Sequence, residues 1–328
     1  MKAITYQREQ DTFTVSELPQ PVLQSPFDVL VRVHAVALNP VDAKVNFWHG
    51  MVPDMNDNFV GGLDVSGEIV AIGKQVTGWA VGDRVLYHGN MRRVHGGFAE
   101  YALQDARTLT AHPNVPAEFA AATPCAAWTA YRALVDKLNI ESRSSIFIAG
   151  GAGGVGSFAI QLAKHFGVSK IVTTASTAKH SYVKKLGATH VIDYRSDDVA
   201  EQIMNLTDGL GVDVALDCVG GDNDLLAASV LGFEGQMVEL VKTVQPELYP
   251  DAFLKGLSFH QLSLGSGHVN GEKGRNDMVA AGNAVSKLFE LGILETPALQ
   301  VIPLDQVGEK LVEIRNQRTT GKIVAKLV

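Results

Sequence analysis

The stretch Ser144-Ser145-Ile146-Phe147-Ile148-Ala149-Gly150-Gly151-Ala152-Gly153-Gly154-Val155-Gly156-Ser157 decides the reading of this chain. It predicts an apolar strand, a glycine turn and then a helix with apolar Val155, Ala159, Leu162, Ala163 and Phe166. Gly151-x-Gly153-x-x-Gly156 fits the dinucleotide fingerprint. One glycine makes the tight turn. Another lets backbone N–H groups reach a pyrophosphate, and the last lets helix and strand pack closely. The helix N-terminus adds unpaired N–H donors and partial positive charge for the phosphates. Glycine turns are common, but this one has the required strand before it and helix after it, which favours nucleotide binding over a plain turn.

Working outward, the pattern after Ile146 alternates strand and helix. Candidate strands are 146–149, 171–175, 191–194, 212–218, 236–241 and 258–264. Six strands with intervening helices imply a doubly wound parallel sheet. The first third reads differently. Short β-like runs, such as Val29-Leu30-Val31-Arg32-Val33 and Asp83-Arg84-Val85-Leu86-Tyr87, are broken by glycine, proline and Asn/Asp turns. That pattern predicts an irregular, barrel-like β domain, followed by a helical stretch near Ala117 to Leu138. The tail predicts helices around 278–291 and 304–317, then a strand over 322–328. This last strand has no place in a completed six-stranded sheet, so the chain is expected to return to the first domain.

The 328 residues suggest about two domains. With 46% hydrophobic and 19% charged residues, the composition is that of a globular protein. The net charge of −7 argues against an extended nucleic-acid or anionic-membrane surface. No apolar run approaches the ~20 residues of a membrane span, and the first residues lack an apolar signal core. Two cysteines, Cys125 and Cys218, make no disulfide framework, so a reducing cytoplasm is the expected location.

An acidic residue that grips the adenosine ribose is expected ~20 residues after the glycines. Thr173-Thr174-Ala175-Ser176-Thr177-Ala178-Lys179-His180 has no carboxylate there. Its hydroxyls and Lys179 suit a 2′-phosphate, which a carboxylate would repel. Tyr194 and Arg195, at the end of the third strand, add a hydroxyl and a charge. NADPH is therefore expected over NADH. The plainer reading makes Lys179 a solvated helix residue and Ser176 its N-cap.

Several motifs carry a family likeness: Ala37-Leu38-Asn39-Pro40-Val41-Asp42, Gly61-Gly62-Leu63-Asp64-Val65-Ser66-Gly67-Glu68-Ile69-Val70, and Gly78-Trp79-Ala80-Val81-Gly82-Asp83-Arg84-Val85. Gly96-Gly97-Phe98-Ala99-Glu100-Tyr101, Leu186-Gly187-Ala188-Thr189-His190-Val191-Ile192-Asp193-Tyr194 and Thr320-Gly321-Lys322-Ile323-Val324 extend it. In that order they resemble the medium-chain dehydrogenase/reductase superfamily, most closely its quinone oxidoreductase (zeta-crystallin-like) branch.

The resemblance implies an α/β protein with a GroES-like β-barrel catalytic domain over residues 1–122 and 267–328 and a Rossmann NADP-binding domain over 123–266. It implies NADPH in the cleft between the domains, with Thr129 and Asn39 near the nicotinamide. Gly151 and the backbone of Gly153, Gly154, Val155 and Gly156 would hold the pyrophosphate. Ser176, Lys179 and Tyr194 would hold the 2′-phosphate, and the Val219 and Val241 loops would border the cofactor. It also implies homodimers through the edge strand Ser258–Leu264.

Zinc-bearing members of the superfamily place catalytic ligands at three positions. Here these are Asn39, Leu63 (followed by Asp64) and Cys125. One soft ligand remains where about three are needed. Two cysteines cannot build a four-cysteine structural cluster, and the ten histidines are scattered, with His88 and His95 flanking a polar loop. The expectation is therefore an enzyme without zinc. Cys125 reads either as a small core residue or as a thiol facing substrate.

Without a metal to polarise an alcohol oxygen, quinones and α,β-unsaturated carbonyls are the better hydride acceptors. The developing enolate or phenolate needs hydrogen-bond donors. Asn39 and Lys44 are the candidates, with the Trp48-His49 pair nearby. Lys44 reads equally as a surface charge, and Asn39-Pro40 equally as a turn. Phe47, Trp48, Met51, Met55 and Phe59 read as an apolar substrate-pocket lining or as ordinary packing. Gly265 to Gly274 reads as a mobile rim or an interdomain crossing. The expected activity is reduction of a small apolar quinone or enone. Competing readings are an NADP(H)-dependent alcohol dehydrogenase or ketone reductase, and a noncatalytic NADPH-binding structural or redox-sensing protein.

Overall fold

A computed structural model describes residues 1–48, 50–52, 55–316 and 321–328. In chain order the strands are β1 Lys2–Gln7, β2 Thr12–Glu17, β3 Asp28–Leu38, β4 Asp64–Ile72, β5 Arg84–His88, β6 Tyr101–Asp105 and β7 Thr110–Ala111. They continue as β8 Ser145–Ala149, β9 Lys170–Thr174, β10 His190–Ile192, β11 Val212–Asp217, β12 Leu231–Glu239 and β13 Ser258–Gln261, and end with β14 Leu299–Ile302 and β15 Lys322–Lys326. The residues fall into two compact units, Met1–Trp128 with Leu264–Val328, and Thr129–Ser263.

In the second unit, β8 to β13 form a six-stranded sheet in the order β10-β9-β8-β11-β12-β13. All neighbours are parallel. Ile146, Phe147, Ile148 and Ala149 of β8 and Val214, Ala215 and Leu216 of β11 are fully buried. Such continuous apolar runs suit central strands covered on both faces. The chain moves outward from β8 through β9 to β10, then returns to the other side of β8 for β11. The glycine turn after β8 therefore lies at the switch in strand order, where open α/β sheets bind ligands.

In the first unit, β14-β15-β3-β4-β5-β7 form a sheet, with β6 also paired to β3. β15 runs antiparallel to the C-terminal half of β3, from Ile323↔Leu38 to Lys326↔Ala35. The expected return of the tail to the first domain is thus made by backbone hydrogen bonds. Val29, Val31, Val33 and Val36 of β3 pack with Val65, Ile69, Val85 and Ile323 in one core.

Two expectations shift. Gly265–Gly274 is built structure: Leu264–His268 is a 3₁₀ turn, and Gly271 begins the helix Gly271–Glu290. A Cβ on Gly267 would meet the Gly274 carbonyl oxygen at 2.8 Å, and one on Gly274 would meet that of Gly267 at 2.7 Å. The glycines there serve close backbone packing. The helical stretch near Ala117 to Leu138 is segmented into Ala117–Ala121, Pro124–Trp128, Thr129–Tyr131 and Arg132–Lys137, two of them wide π-type turns. Near the C-terminus a 3₁₀ turn, Leu304–Gln306, precedes the helix Val307–Arg315. Gln317, Thr320 and His49 lie outside the described residues.

Candidate functional site

In the second unit the turn after β8 has the geometry its glycines require. Gly150 sits at φ +80, and a Cβ there would meet Val219 Cγ2 at 2.6 Å. Gly151 lies against the Thr173 side chain, whose Cβ would be 3.0 Å from an added Cβ. A Cβ on Gly156 would meet Gly151 Cα at 2.8 Å, so this residue lets helix and turn touch. Gly153 is the N-cap of the helix Gly154–His165. The N–H groups of Gly154, Val155 and Gly156 open that helix and have no intrahelical acceptor.

Beside the turn, Thr174 ends β9 and its hydroxyl accepts from Gly150 N–H at 3.0 Å. Ser176 follows as N-cap of a 3₁₀ turn without spending its hydroxyl on the cap, and Lys179 closes that turn. The N-cap role weighed for Ser176 is thus filled by its backbone. The Asp193 carboxylate is buried and turned toward Thr177. It accepts from the Thr177 backbone at 2.7 Å, from the Thr177 hydroxyl, and from Arg195 N–H at 3.0 Å. These bonds, the Thr177 hydroxyl foremost, hold the Asp193 carboxyl below its ordinary range. They also tie the Ser176–Lys179 turn to the Tyr194–Arg195 turn. Tyr194 is 55% exposed, with the Arg195 guanidinium 5.5 Å from its ring centre.

Two further turns follow β11 and β12. Asp217 and Glu239 are register partners and are both buried. One oxygen of Asp217 accepts from Val219 and Gly220 N–H at 2.8 and 3.1 Å. One oxygen of Glu239 accepts from Val241 and Lys242 N–H at 2.5 and 2.9 Å. Each carboxyl thereby shapes the turn that presents a half-exposed valine, Val219 or Val241. Burial, then the facing Asp217 carboxyl, pushes the Glu239 carboxyl up to about 7. Sequence reasoning singled out the valines and missed the acids. The signal was a carboxylate at the end of each apolar strand. Thr129 is buried and opens the helical turn Thr129–Tyr131.

In the first unit a buried polar network surrounds Asn39, at the end of β3. Its amide nitrogen donates to Asp42 Oδ2 at 3.1 Å and to Asp64 Oδ2 at 3.0 Å. Its amide oxygen accepts from the Lys322 ammonium. Asp64, fully buried, also accepts from Cys125 N–H at 3.0 Å and pairs with His88 Nδ1 at 2.8 Å. Lys322 Nζ lies 3.7 Å from Asp64 Oδ2 and 3.4 Å from the Leu38 carbonyl oxygen. Burial, then the neighbouring Asp64 charge, raises the Asp42 carboxyl to about 7. Both amide hydrogens of Asn39 are thus committed within the network. Sequence reasoning singled out Asn39 and missed Lys322, whose signal was a lysine directly before the apolar run Ile323-Val324-Ala325.

The other candidates of this unit separate. Lys44 follows the short helix Pro40–Ala43 and is exposed. Trp48 is buried, edge-on to Phe59 with ring centres 6.1 Å apart, and packs with Val45, Val52, Met55 and Leu63. Trp48, Phe59 and Leu63 also line a small cavity with Tyr87 and His95. Phe47 is 75% exposed and joins no such packing. Cys125 belongs to this unit, and burial, then Asp64, pushes its thiol well up.

Comparison with known proteins agrees with this architecture. Residues 25–114 match the alcohol dehydrogenase GroES-like domain, and residues 154–275 match the zinc-binding dehydrogenase domain. A 2-methylene-furan-3-one reductase of Solanum lycopersicum is 39% identical over 227 residues, which cover 66% of this chain and 56% of that protein. An NADPH-dependent alkenal/one oxidoreductase, chloroplastic, of Arabidopsis thaliana is 37% identical over 225 residues, with the same coverage of both. The chain thus spans little more than half the length of these relatives. The solved quinone oxidoreductase of Coxiella burnetii superposes with a TM-score of 0.85 at 25% identity, covering 100% of this chain and 99% of that one. The chain belongs to the medium-chain dehydrogenase/reductase superfamily, in its quinone oxidoreductase branch.

The zinc-binding description of the second domain calls for a test of fit. Among the described residues, Asp64, His88 and Cys125 bring their ligand atoms within 4.8 Å of one another. As arranged they do not fit a divalent ion. Both Asp64 oxygens are taken by N–H donors, and an ammonium already stands beside that carboxylate. The Cys125 thiol is held protonated, whereas a metal binds the thiolate.

Proposed function

We propose that the chain is an NADPH-dependent oxidoreductase that reduces quinones or α,β-unsaturated carbonyls without a metal ion. The observation that carries this is the rim around the glycine turn. Ser176, Lys179 and Tyr194 carry two hydroxyls and an ammonium, and the buried Asp193 carboxylate is spent on Thr177. Such a rim suits a 2′-phosphate. When bound, NADPH supplies a hydride. The chain's own part is to hold the pyrophosphate on the N–H groups of Gly154, Val155 and Gly156, with Gly153 as the N-cap that shapes the turn, and to set Val219 and Val241 through Asp217 and Glu239. In this reading Thr129 stands near the nicotinamide. Asn39 acts by holding Asp42, Asp64 and Lys322 in place, and Lys44, with its ammonium in solvent, is the proton source. The tomato and Arabidopsis relatives, named for a 2-methylene-furan-3-one and for alkenals and enones, support this acceptor class.

We place the protein in the cytoplasm as a homodimer. Both cysteines are free, and no described helix is long and apolar enough to cross a membrane. The edge strand β13 has one paired side, and Phe253, Leu254 and Phe233 are exposed in the same unit at 94%, 77% and 77%. Apolar surface beside an open edge calls for a partner. Sedimentation showing monomer alone refutes the dimer.

The test of function follows NADPH oxidation on a panel of a benzoquinone, an enone, a 2-alkenal and a simple ketone, with EDTA present. Turnover of quinone or enone supports the reading. Turnover of the ketone alone, or only after zinc is added, moves it to a carbonyl reductase. Binding without turnover of any acceptor makes it a noncatalytic NADPH protein. Lys179→Ala is expected to cut NADPH affinity about tenfold while leaving NADH affinity unchanged. A clear NADH preference in the unaltered protein sinks the cofactor assignment.

A further inference from the structure

The Asn39 network holds a question that the cofactor does not answer. Asp64, His88 and Cys125 carry three ligand types that zinc accepts, already gathered in one place, the first two buried and Cys125 half-buried. A tetrahedral ion with bonds of about 2.0–2.3 Å needs its donors roughly 3.3–3.8 Å apart. A small contraction from the present spread of up to 4.8 Å would meet that need. What opposes an ion is the charge already present. Lys322 is only 4% exposed, stands 3.7 Å from Asp64 Oδ2, and is held in place by the Asn39 amide oxygen and the Leu38 carbonyl oxygen. A divalent cation on Asp64 would face this ammonium at close range in a medium that screens poorly. The lysine cannot withdraw easily, because its anchor is backbone: β15 is zipped to β3 from Ile323 onward.

We propose that Lys322 is a built-in cation that keeps divalent metal out of the Asp64–His88–Cys125 cluster, so that removing its charge turns the cluster into a metal site. In the altered protein Asp64 is left without its counter-charge. The ion takes that place, bound by the carboxylate, the imidazole and the Cys125 sulfur, whose thiol proton is released to solvent. The inference stands on these residues alone and holds whichever dinucleotide the second unit binds.

The experiment uses the full chain, stripped with a chelator and dialysed, and titrated with Co²⁺ in the absence of dinucleotide. The unaltered protein and Lys322→Arg, which keeps the charge, take up no stoichiometric Co²⁺. Lys322→Ala and Lys322→Gln take up one ion per chain, at least about a hundredfold more tightly. Binding brings a thiolate-to-cobalt absorption band that Cys125→Ser removes. Zinc raises the melting temperature of these two variants only. Lys322→Gln keeps a hydrogen-bond donor to Asn39 and guards against simple misfolding. If both variants unfold without metal, recovery of circular dichroism on adding zinc supports the proposal, and no recovery overturns it. A folded Lys322→Gln protein that takes no ion also overturns it. So does unaltered protein that keeps one zinc per chain, lost in Cys125→Ser.

Discussion

Each unit of this molecule buries two carboxyl groups side by side, and the two units balance that charge in opposite ways. In the first, Asp42 and Asp64 share the Asn39 amide, and Lys322 supplies a positive charge. In the second, Asp217 and Glu239 face each other across β11 and β12. Each spends one oxygen on backbone N–H groups, and the other oxygen of each lacks a hydrogen-bond partner. A single proton between those two oxygens satisfies both. The first pair sets a lysine against its carboxyls and the second turns its carboxyls onto backbone N–H groups, and in each one member, Asp42 or Glu239, is raised to about 7 chiefly by burial. The difference teaches that burying an acid requires a compensating charge, and that a lysine and a proton impose different dependences on pH and mutation.

The largest expected effect breaks the first balance. Asp64→Ala leaves the Lys322 ammonium buried beside a neutral amide. Stranding one partner of a buried pair costs about 3–5 kcal/mol. Urea denaturation should show a loss of that size. A loss under about 1 kcal/mol would mean that Lys322 escapes to water, and the network would not be the fixed one described.

The second balance is tested by pH. Glu239 titrates near 7 when folded and near its ordinary 4.5 when unfolded. Its proton therefore stabilises the fold fully below about 4.5, and that contribution fades as pH rises through about 7. Glu239→Gln, a permanently protonated mimic, should gain stability relative to the unaltered protein at pH 8, by on the order of 2 kcal/mol. His112 and His268, each lowered to about 4 chiefly by burial, contribute an opposite slope in acid. The difference between the two pH profiles, rather than either alone, is the measurement. Parallel profiles would remove the shared proton.

A smaller effect separates geometry from charge in that same pair. Asp217→Asn keeps an oxygen for the Val219 and Gly220 N–H groups and strands no charge. Its expected cost is about 1 kcal/mol, well below that of Asp64→Ala. Equal losses in the two variants would erase the distinction between the units.

How much of this was legible beforehand follows from the range of each interaction. The strand–turn–helix at Ile146–Gly156 and all six strands of the parallel sheet were readable, because apolar runs and glycine turns are local signals. The return of β15 to β3 was inferable only as a strand left without a place. The Lys322–Asn39–Asp64 contact was not readable. It joins residues 283 apart in the chain for Lys322 and Asn39, and 25 apart for Asn39 and Asp64, and no periodicity records such a meeting. Asn39 was found through its motif, but its hydrogen-bond partners, which decide whether its amide is free, came only with the fold. Gly265–Gly274 was read as a mobile rim or an interdomain crossing; it follows directly on the passage between the units at Ser263–Leu264, and its packed turn was not readable for a related reason. Glycine content signals freedom in a loop and close contact in a packed turn alike, and only the Gly267–Gly274 approach tells them apart.

The two cysteines give the finest comparison, because each sits beside one of these carboxyl pairs. Burial comes first for both thiols, and a neighbouring carboxylate adds to it: Asp64 at Cys125, then Asp217 and Glu239 at Cys218. Both are pushed well above the ordinary thiol range. The thiolate is the nucleophile, so at pH 8 both should react with iodoacetamide at least about tenfold more slowly than a free thiol. The units then differ in one respect. Lys322 acts on Cys125 against the carboxylates, while no cation does so at Cys218. Cys125 should therefore label first, and Lys322→Gln should slow it while leaving Cys218 unchanged. Mass spectrometry of the alkylated peptides over time reads both rates. Cys218 labelling ahead of Cys125, or a Cys125 rate indifferent to Lys322, would mean that the lysine's charge is not felt at the sulfur. The first unit's compensation would then reach no further than Asp64 and Asn39.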